Sequence, residues 1–185
     1  MKVVDTTQLV ENSILEIRGD GKAGGGLVLA MQSLASVMVM DPKIYVQEWP
    51  FFSSARKGAA IRSFLRVSKK PIHVACEVTN PHISVLMDAG AAHFVDFALG
   101  VPAGGIFILN STHTPEEAAK HYKLSGQVVT IDGDQLGTKF LKRPMANISV
   151  FATLVSLIPS VKFEDAAHAL KHILEKRRLP EKMVQ

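Results

Sequence analysis

Hydrophobic positions fall into two rhythms along this chain, and the alternation between them predicts its elements. Short apolar or alternating runs read as strands: "ILEIR" (Ile14 to Arg18), "KIYVQEW" (Lys43 to Trp49), "IRSFLRV" (Ile61 to Val67) and "IHVACEV" (Ile72 to Val78). In "IRSFLRV" the set Ile61, Ser63, Leu65, Val67 opposes Arg62, Phe64, Arg66, so one face is expected to be more polar. The turn "SKKP" predicts an antiparallel hairpin between that run and "IHVACEV", with "PFFSSARKGAA" before them irregular. Further on, "ISVLMD", "GGIFILNS" and "QVVTID" are continuous apolar runs of the kind covered on both faces.

Helical spacing fills the gaps. Gly24 to Met40 predicts a buried helix stopped by Pro42, and a second helix is expected from Asp88 to about Leu99. In "THTPEEAAKHY", Thr114 is an N-cap, Pro115 suits the first helical position and Glu117 completes a capping box. "GDQLGTKFL" and "ANISVFATLVSLI" follow as a short and a buried helix. The last helix should bury Phe163, Ala166, Ala167, Leu170, Ile173 and Leu174, with acids in its first turn and Lys176, Arg177 and Arg178 in its last.

Strands and helices alternating around one core imply a three-layer α/β/α sandwich with a mixed, mostly parallel sheet. No repeat or low-complexity linker divides residues 1–185, so one domain is expected, with 1–12 and 179–185 as loose or partner-docking tails.

Composition narrows the classes. At 185 residues, 47% hydrophobic and 21% charged, the chain reads as an ordinary globular domain with a sizeable core. Its net charge of +4 is spread along the sequence and aromatics are only 6%, so no nucleic-acid partner is expected. The N-terminus carries acids where a secretory signal is apolar, and the longest apolar window falls short of the ~20 residues of a membrane span. A cytoplasmic chain with no membrane partner is the expectation. Cys76 is the single cysteine, which leaves no disulfide framework and no thiolate set for zinc or an iron–sulfur cluster; it reads as a buried strand residue.

The chemistry concentrates in "RGDGKAGGG", Arg18 to Gly26. Gly19 to Gly24 satisfies the dinucleotide pattern G-x-G-x-x-G at the end of the first strand, and Glu48 falls where a ribose-binding acid is expected. Bare glycine amides at a helix start favour an anion, and Lys22 adds a cation beside them. The plain alternative is that the glycines only let the helix pack closely on the sheet. A Walker loop is excluded because Gly25 and Gly26 stand where Lys and Ser/Thr belong. A thiamine diphosphate motif beginning at Gly19 lacks its Asn, since none occurs between Asn12 and Asn80.

A second constellation, Trp49 to Ile72, is an aromatic-led loop with Arg56 and Lys57, read either as a wall of the same crevice or as a solvated basic loop. His168 and His172 make an i, i+4 pair without a third ligand, so no metal site is expected; Asp88 and Asp132 end strands as ligand-orienting groups or helix caps.

The ordered blocks "GKAGGG", "PFFSSARKGAAIRSFLRVSKKPI", "NPHISVLMDAG", "GGIFILNST" and "VVTIDGDQLG" resemble the gamma subunit (domain III) of the 2-oxoacid:acceptor oxidoreductases, the pyruvate:ferredoxin oxidoreductase group. That family commonly has Arg at Lys22, Gly at Ala23, Gln at Gly25, Gly at Ser53, Glu at Ala55, Arg at Lys57 and Pro at Ala60. In "MANIS", Asn147 is kept and the following Thr is not, which suggests a divergent branch.

The resemblance implies a Rossmann-like sheet and a place in a hetero-oligomer. That enzyme decarboxylates a 2-oxoacid on thiamine diphosphate and Mg2+, passes electrons through iron–sulfur clusters and releases an acyl-coenzyme A. Thiamine-binding alpha/beta-type subunits and a ferredoxin-like subunit would hold those groups, with none bound by this chain alone and no catalytic residue supplied by it. Its own part would be to flank the active-site or coenzyme A crevice through Gly21, Lys22, Gly24, Gly25, Gly26, Arg56, Lys57 and Asn147. The open alternative is a free-standing NAD- or nucleotide-binding domain using Glu48.

Overall fold

The computed structural model describes residues 5–52, 59–158 and 161–176. Its centre is one six-stranded sheet in the order β2-β3-β1-β4-β5-β6, built from β1 (Leu15–Lys22), β2 (Tyr45–Phe52), β3 (Ala60–Ser68), β4 (Ile83–Leu86), β5 (Ile106–Asn110) and β6 (Gln127–Ile131). From β1 through β4 and β5 to β6 the pairing is parallel, while β3 is antiparallel to both β1 and β2.

The hairpin is therefore β2 with β3, not β3 with the "IHVACEV" run. Both edges of β3 are taken, by β1 and β2, so Ile72 to Val78 has no edge to join and crosses the sheet face as irregular chain. There its carbonyls have a use: Arg66 donates to the oxygens of Val74 and Glu77, both at 3.4 Å. Cys76 is exposed rather than buried.

β1 runs further than its apolar residues suggested, through Gly19 and Gly21 to Lys22. A Cβ at Gly19 would stand 2.5 Å from Leu27 Cδ1, and one at Gly21 would stand 3.1 Å from Met87 Cβ. These two glycines let α2 (Leu27–Met38) sit directly on the sheet.

With α2 on that face lie α5 (Asn147–Ser156) and α6 (Phe163–Lys176), closing a core that includes Leu27, Met31, Leu34, Ile17, Leu65 and Phe151. Among the described side chains of α6, Ala166 and Ala169 are buried and Leu170 packs partly buried on the core, whereas Phe163 and Ala167 are exposed, so the packed stripe is narrower than expected; the Leu174 side chain lies outside the described residues. The opposite face is thinner. A short 3-10 helix (Ala89–His93) and α3 (Pro115–Tyr122) cover β4 and β5 there through Ala91, Phe97, Phe107 and Ala118. The expected helix to Leu99 stops early because Asp96 takes the amides of Ala98 and Leu99, at 3.0 and 3.1 Å, and starts a separate turn.

The capping box of α3 forms as read, with Thr114 and Glu117 satisfying each other's backbone amides. Within the expected N-terminal tail, Thr6–Asn12 is instead a helix, α1, capped by Asp5. It is anchored by buried Val10 and by Thr6 Oγ1 donating to Leu157 O at 2.6 Å. α4 (Gly133–Leu141) follows β6. The C-terminal tail, 179–185, lies outside the described residues, as do Arg177 and Arg178. Among the described residues no helix is long and apolar enough to cross a membrane.

Candidate functional site

Where β1 ends, the chain turns through its glycines into α2. The turn is closed by Gly25 N donating to Lys22 O at 3.0 Å. Gly24 and Gly26 take φ of 89° and 84°, the left-handed region that glycine enters without strain. Gly26 is the N-cap of α2 and brings no side chain to it, so the amides of the first turn have no capping partner from the cap residue. Those residues line a cleft of about 600 Å3 at the carboxyl ends of the strands.

Facing the turn is Asn147, the first residue of α5. It is 3% exposed, and its Oδ1 has no hydrogen-bond partner, although a buried amide oxygen ordinarily finds one. A Cβ at Gly26 would stand 2.8 Å from Asn147 Cβ, so the two helix starts meet only because residue 26 is glycine. Phe52, Arg143, Asp88 and Asp134 also line the cleft. On the acidic wall, Asn110 Nδ2 donates to Asp134 Oδ2 at 2.9 Å while Asn110 Oδ1 accepts from Gly133 N at 3.0 Å. One wall thus offers bare amides and a cation, and the other offers acceptors.

The residues anticipated for the site are partly gathered here. Gly24, Gly25, Gly26 and Asn147 line the cleft. Gly21 lies inside β1 rather than in the turn. Lys22 is not itself in the lining, but its Nζ is 3.0 Å from Oδ1 of the lining residue Asp88, beside Gly90. Arg56 and Lys57 lie outside the described residues. Asp132 caps α4 by accepting from Gln135 N at 2.9 Å, and Asp88 caps the 3-10 helix by accepting from Gly90 N at 2.7 Å. Arg143 was missed from sequence; its only signal was a cation just before the buried α5 pattern. His168 and His172 are exposed on α6, and among the described residues no group of three or more His, Cys, Asp or Glu could hold a metal.

Glu48 does not serve the glycine turn. It sits in β2 opposite Leu65, accepts from Ser63 Oγ at 3.0 Å and is hydrogen-bonded with Gln32 of α2. Burial pushes its carboxyl above the ordinary value, with the Ser63 and Gln32 bonds opposing. It precedes Phe52, the cleft-lining residue of its strand, by about 13 Å at ~3.3 Å per residue. β3 also separates β2 from β1, whereas a dinucleotide fold places the acid on the strand beside the glycine turn. The ribose-binding expectation for Glu48 is therefore corrected.

Behind the cleft the polar face of β1 and β3 holds Glu16 with Arg66 at 2.8 Å, and Asp20 with Arg62 at 2.9 Å and Arg18 at 3.3 Å. Burial lowers the Arg18 pKa from its usual value, with Asp20 pulling the other way. Arg66, 1% exposed, also lies 5.0 Å from the Trp49 ring centroid. The polar face expected from the alternation in β3 is real, but it is buried.

Comparison with known proteins shows the family. The family model described as "Pyruvate ferredoxin/flavodoxin oxidoreductase" matches residues 16–185. The chain is 31% identical over 159 residues to the pyruvate/ketoisovalerate oxidoreductases common subunit gamma of Thermococcus kodakarensis, covering 85% of each. It is 34% identical over 150 residues to pyruvate synthase subunit PorC of Methanothermobacter marburgensis, covering 78% of this chain and 80% of that one. The crystal structure of pyruvate oxidoreductase subunit PORC from Thermotoga maritima superposes with a TM-score of 0.74 at 26% identity, covering 92% of this chain and 89% of that one.

Proposed function

Because the chain belongs to the pyruvate ferredoxin/flavodoxin oxidoreductase family, we propose that it is the gamma-type subunit of a multi-subunit, CoA-acylating 2-oxoacid:acceptor oxidoreductase. In that complex it completes the assembly and lines the coenzyme A approach, while partner subunits hold the thiamine diphosphate, Mg2+ and iron–sulfur clusters. A single, exposed cysteine supports placing the clusters elsewhere, since each needs several thiolates.

The observation that carries the reading is the uncapped start of α2 over bare glycines, facing Asn147, whose buried Oδ1 has no hydrogen-bond partner. That arrangement fits a phosphate-bearing ligand: Gly24 to Gly26 allow close approach, and the α2 amides and helix N-terminus favour its charge. Arg143 adds a cation at the same cleft. The Asn147 oxygen and the Asp88 and Asp134 carboxylates fit the hydroxyl and amide donors that coenzyme A also carries. When bound, coenzyme A supplies the thiol that takes up the acyl group. The chain's residues hold and orient its diphosphate end.

Steady-state kinetics of the intact complex test this. Asn147→Ala and Arg143→Glu are expected to raise KM for coenzyme A about 10-fold, roughly the worth of one charge-assisted contact, with KM for the 2-oxoacid unchanged. Unchanged coenzyme A constants in an intact complex would overturn the placement.

A further inference from the structure

The ion pairs behind the cleft are unevenly shared. Glu16 pairs one to one with Arg66, and Lys22 with Asp88. Between them, fully buried Asp20 meets Arg62 Nε through Oδ1 and Arg18 Nε through Oδ2, so two guanidiniums share one carboxylate. Arg18 directs its other end inward, with Nη2 donating to the carbonyls of Phe97 at 2.8 Å and Asp96 at 3.4 Å. The Asp96 carboxylate, which accepts from the amides of Ala98 and Leu99, also attracts Arg18. With Arg18 drawn inward, Arg62 is the more open of the two guanidiniums, its side chain 29% exposed and its partner among the described residues Asp20 alone.

Arg62 lines a second cleft, of about 320 Å3, with Phe51, Ile61, Phe94 and Val95. Phe51 is 44% exposed and Phe94 74%. Alternation along β2 separates the two phenylalanines that end it, Phe52 lining the coenzyme A cleft and Phe51 this one. Exposed aromatics around a half-buried arginine have the composition of an interface hot spot rather than of free surface. Asp20 already fixes Arg62 through Nε, which leaves the Nη edge pre-positioned for a second carboxylate.

We propose that this cleft is the docking point of an adjoining subunit, which inserts an Asp or Glu carboxylate, carried on an apolar segment, between Phe51 and Phe94 onto Arg62. The proposal rests on the reading of the chain as a gamma-type subunit. The inserted acid gives Arg62 a carboxylate of its own beside the one it shares with Arg18. The phenyl rings exclude water from the new pair, which strengthens it.

The test uses the complex purified through a tag on this chain, with subunit dissociation constants measured at fixed ionic strength. Phe94→Ser is expected to weaken one subunit interface about 10-fold and Arg62→Glu about 100-fold, in the range of hot-spot substitutions. Phe140→Ser, equally exposed on α4, should leave it unchanged. Carbodiimide coupling of the Arg62→Lys chain within the complex identifies the partner acid, and replacing that acid by Arg should restore assembly to the Arg62→Glu chain. If Arg62→Glu unfolds, Phe94→Ser and Arg62→Lys carry the test. Wild-type affinity in the Phe94→Ser and Arg62→Lys complexes overturns the docking site and leaves the subunit reading standing. Failure of the wild-type chain to bring down any subunit overturns that reading instead. Saturable binding of benzoate at Phe94, with assembly of the variants intact, would assign the cleft to a small carboxylate and overturn the docking proposal.

Discussion

Gly26 and Asn147 share one space: a Cβ on the first would stand 2.8 Å from the Cβ of the second, at a φ of 84°. The starts of α2 and α5 are thus locked together by an absent side chain. Gly26→Ala is expected to cost about 2–4 kcal/mol, ~1–2 from the left-handed backbone and the rest from the clash. In the Gly26→Ala/Asn147→Gly double variant the clash component should vanish and the backbone component remain. Denaturant unfolding of the four chains measures the coupling, and strict additivity would contradict it.

Arg66 is expected to be the costliest charge to remove on its own. It is 1% exposed and paired with Glu16 at 2.8 Å. Arg66→Met should destabilise by ~3–5 kcal/mol, whereas Arg66→Met with Glu16→Met should cost much less, because no charge is then stranded beneath the Ile72 to Val78 segment. Equal losses in single and double variants would show that the arginine acts only through its packing on Trp49.

His82 gives the stability a dependence on pH. Its Nδ1 accepts from Glu16 N at 3.1 Å, and burial lowers its pKa from 6.5, with Glu16 opposing. A histidine depressed on folding contributes stability above its unfolded pKa and loses it as pH falls below about 6.5 toward the folded value. His82→Asn keeps an acceptor for the Glu16 amide without a proton to gain. Its Tm should fall less than the wild type's between pH 7 and 5; parallel curves would contradict this.

Glu48 acts with the opposite sign. A carboxyl raised on folding stabilises below its unfolded value, near 4.5, and loses that contribution as pH rises through the folded value. Glu48→Gln keeps hydrogen-bonding groups for Ser63 and Gln32 without the charge, so its Tm relative to wild type should rise between pH 4.5 and 7. Calorimetry across that range checks it, and a difference independent of pH would count against the burial argument.

What was readable in the sequence was what is local or periodic. The Thr114 cap, the apolar runs of β4 and β5 and the glycine turn are fixed by neighbours within a few residues, and all formed in place. The Ile72 to Val78 run failed because a strand needs a free edge, and β3 had none left. The burial of Arg66 was hidden for a related reason: Trp49, Glu16 and the Val74 and Glu77 carbonyls reach it from three separate parts of the chain. Asn147 drew notice through family resemblance alone, since its partner in space, Gly26, lies far away in sequence. Arg143 carried no pattern, and only the fold brings it to the cleft.

The position of β1 sets the order in which the molecule can be completed during synthesis. Its two neighbours, β3 and β4, both lie later in the chain, and β2 joins only through β3. The emerging first strand therefore waits with two open edges. Residues up to Ser68 close one of them with the hairpin, Ile83–Leu86 closes the other, and β5 and β6 then add outward one at a time. In order of synthesis, the β3 partners of the charges on one face of β1 precede every strand that pairs with β1 in parallel or extends that half of the sheet.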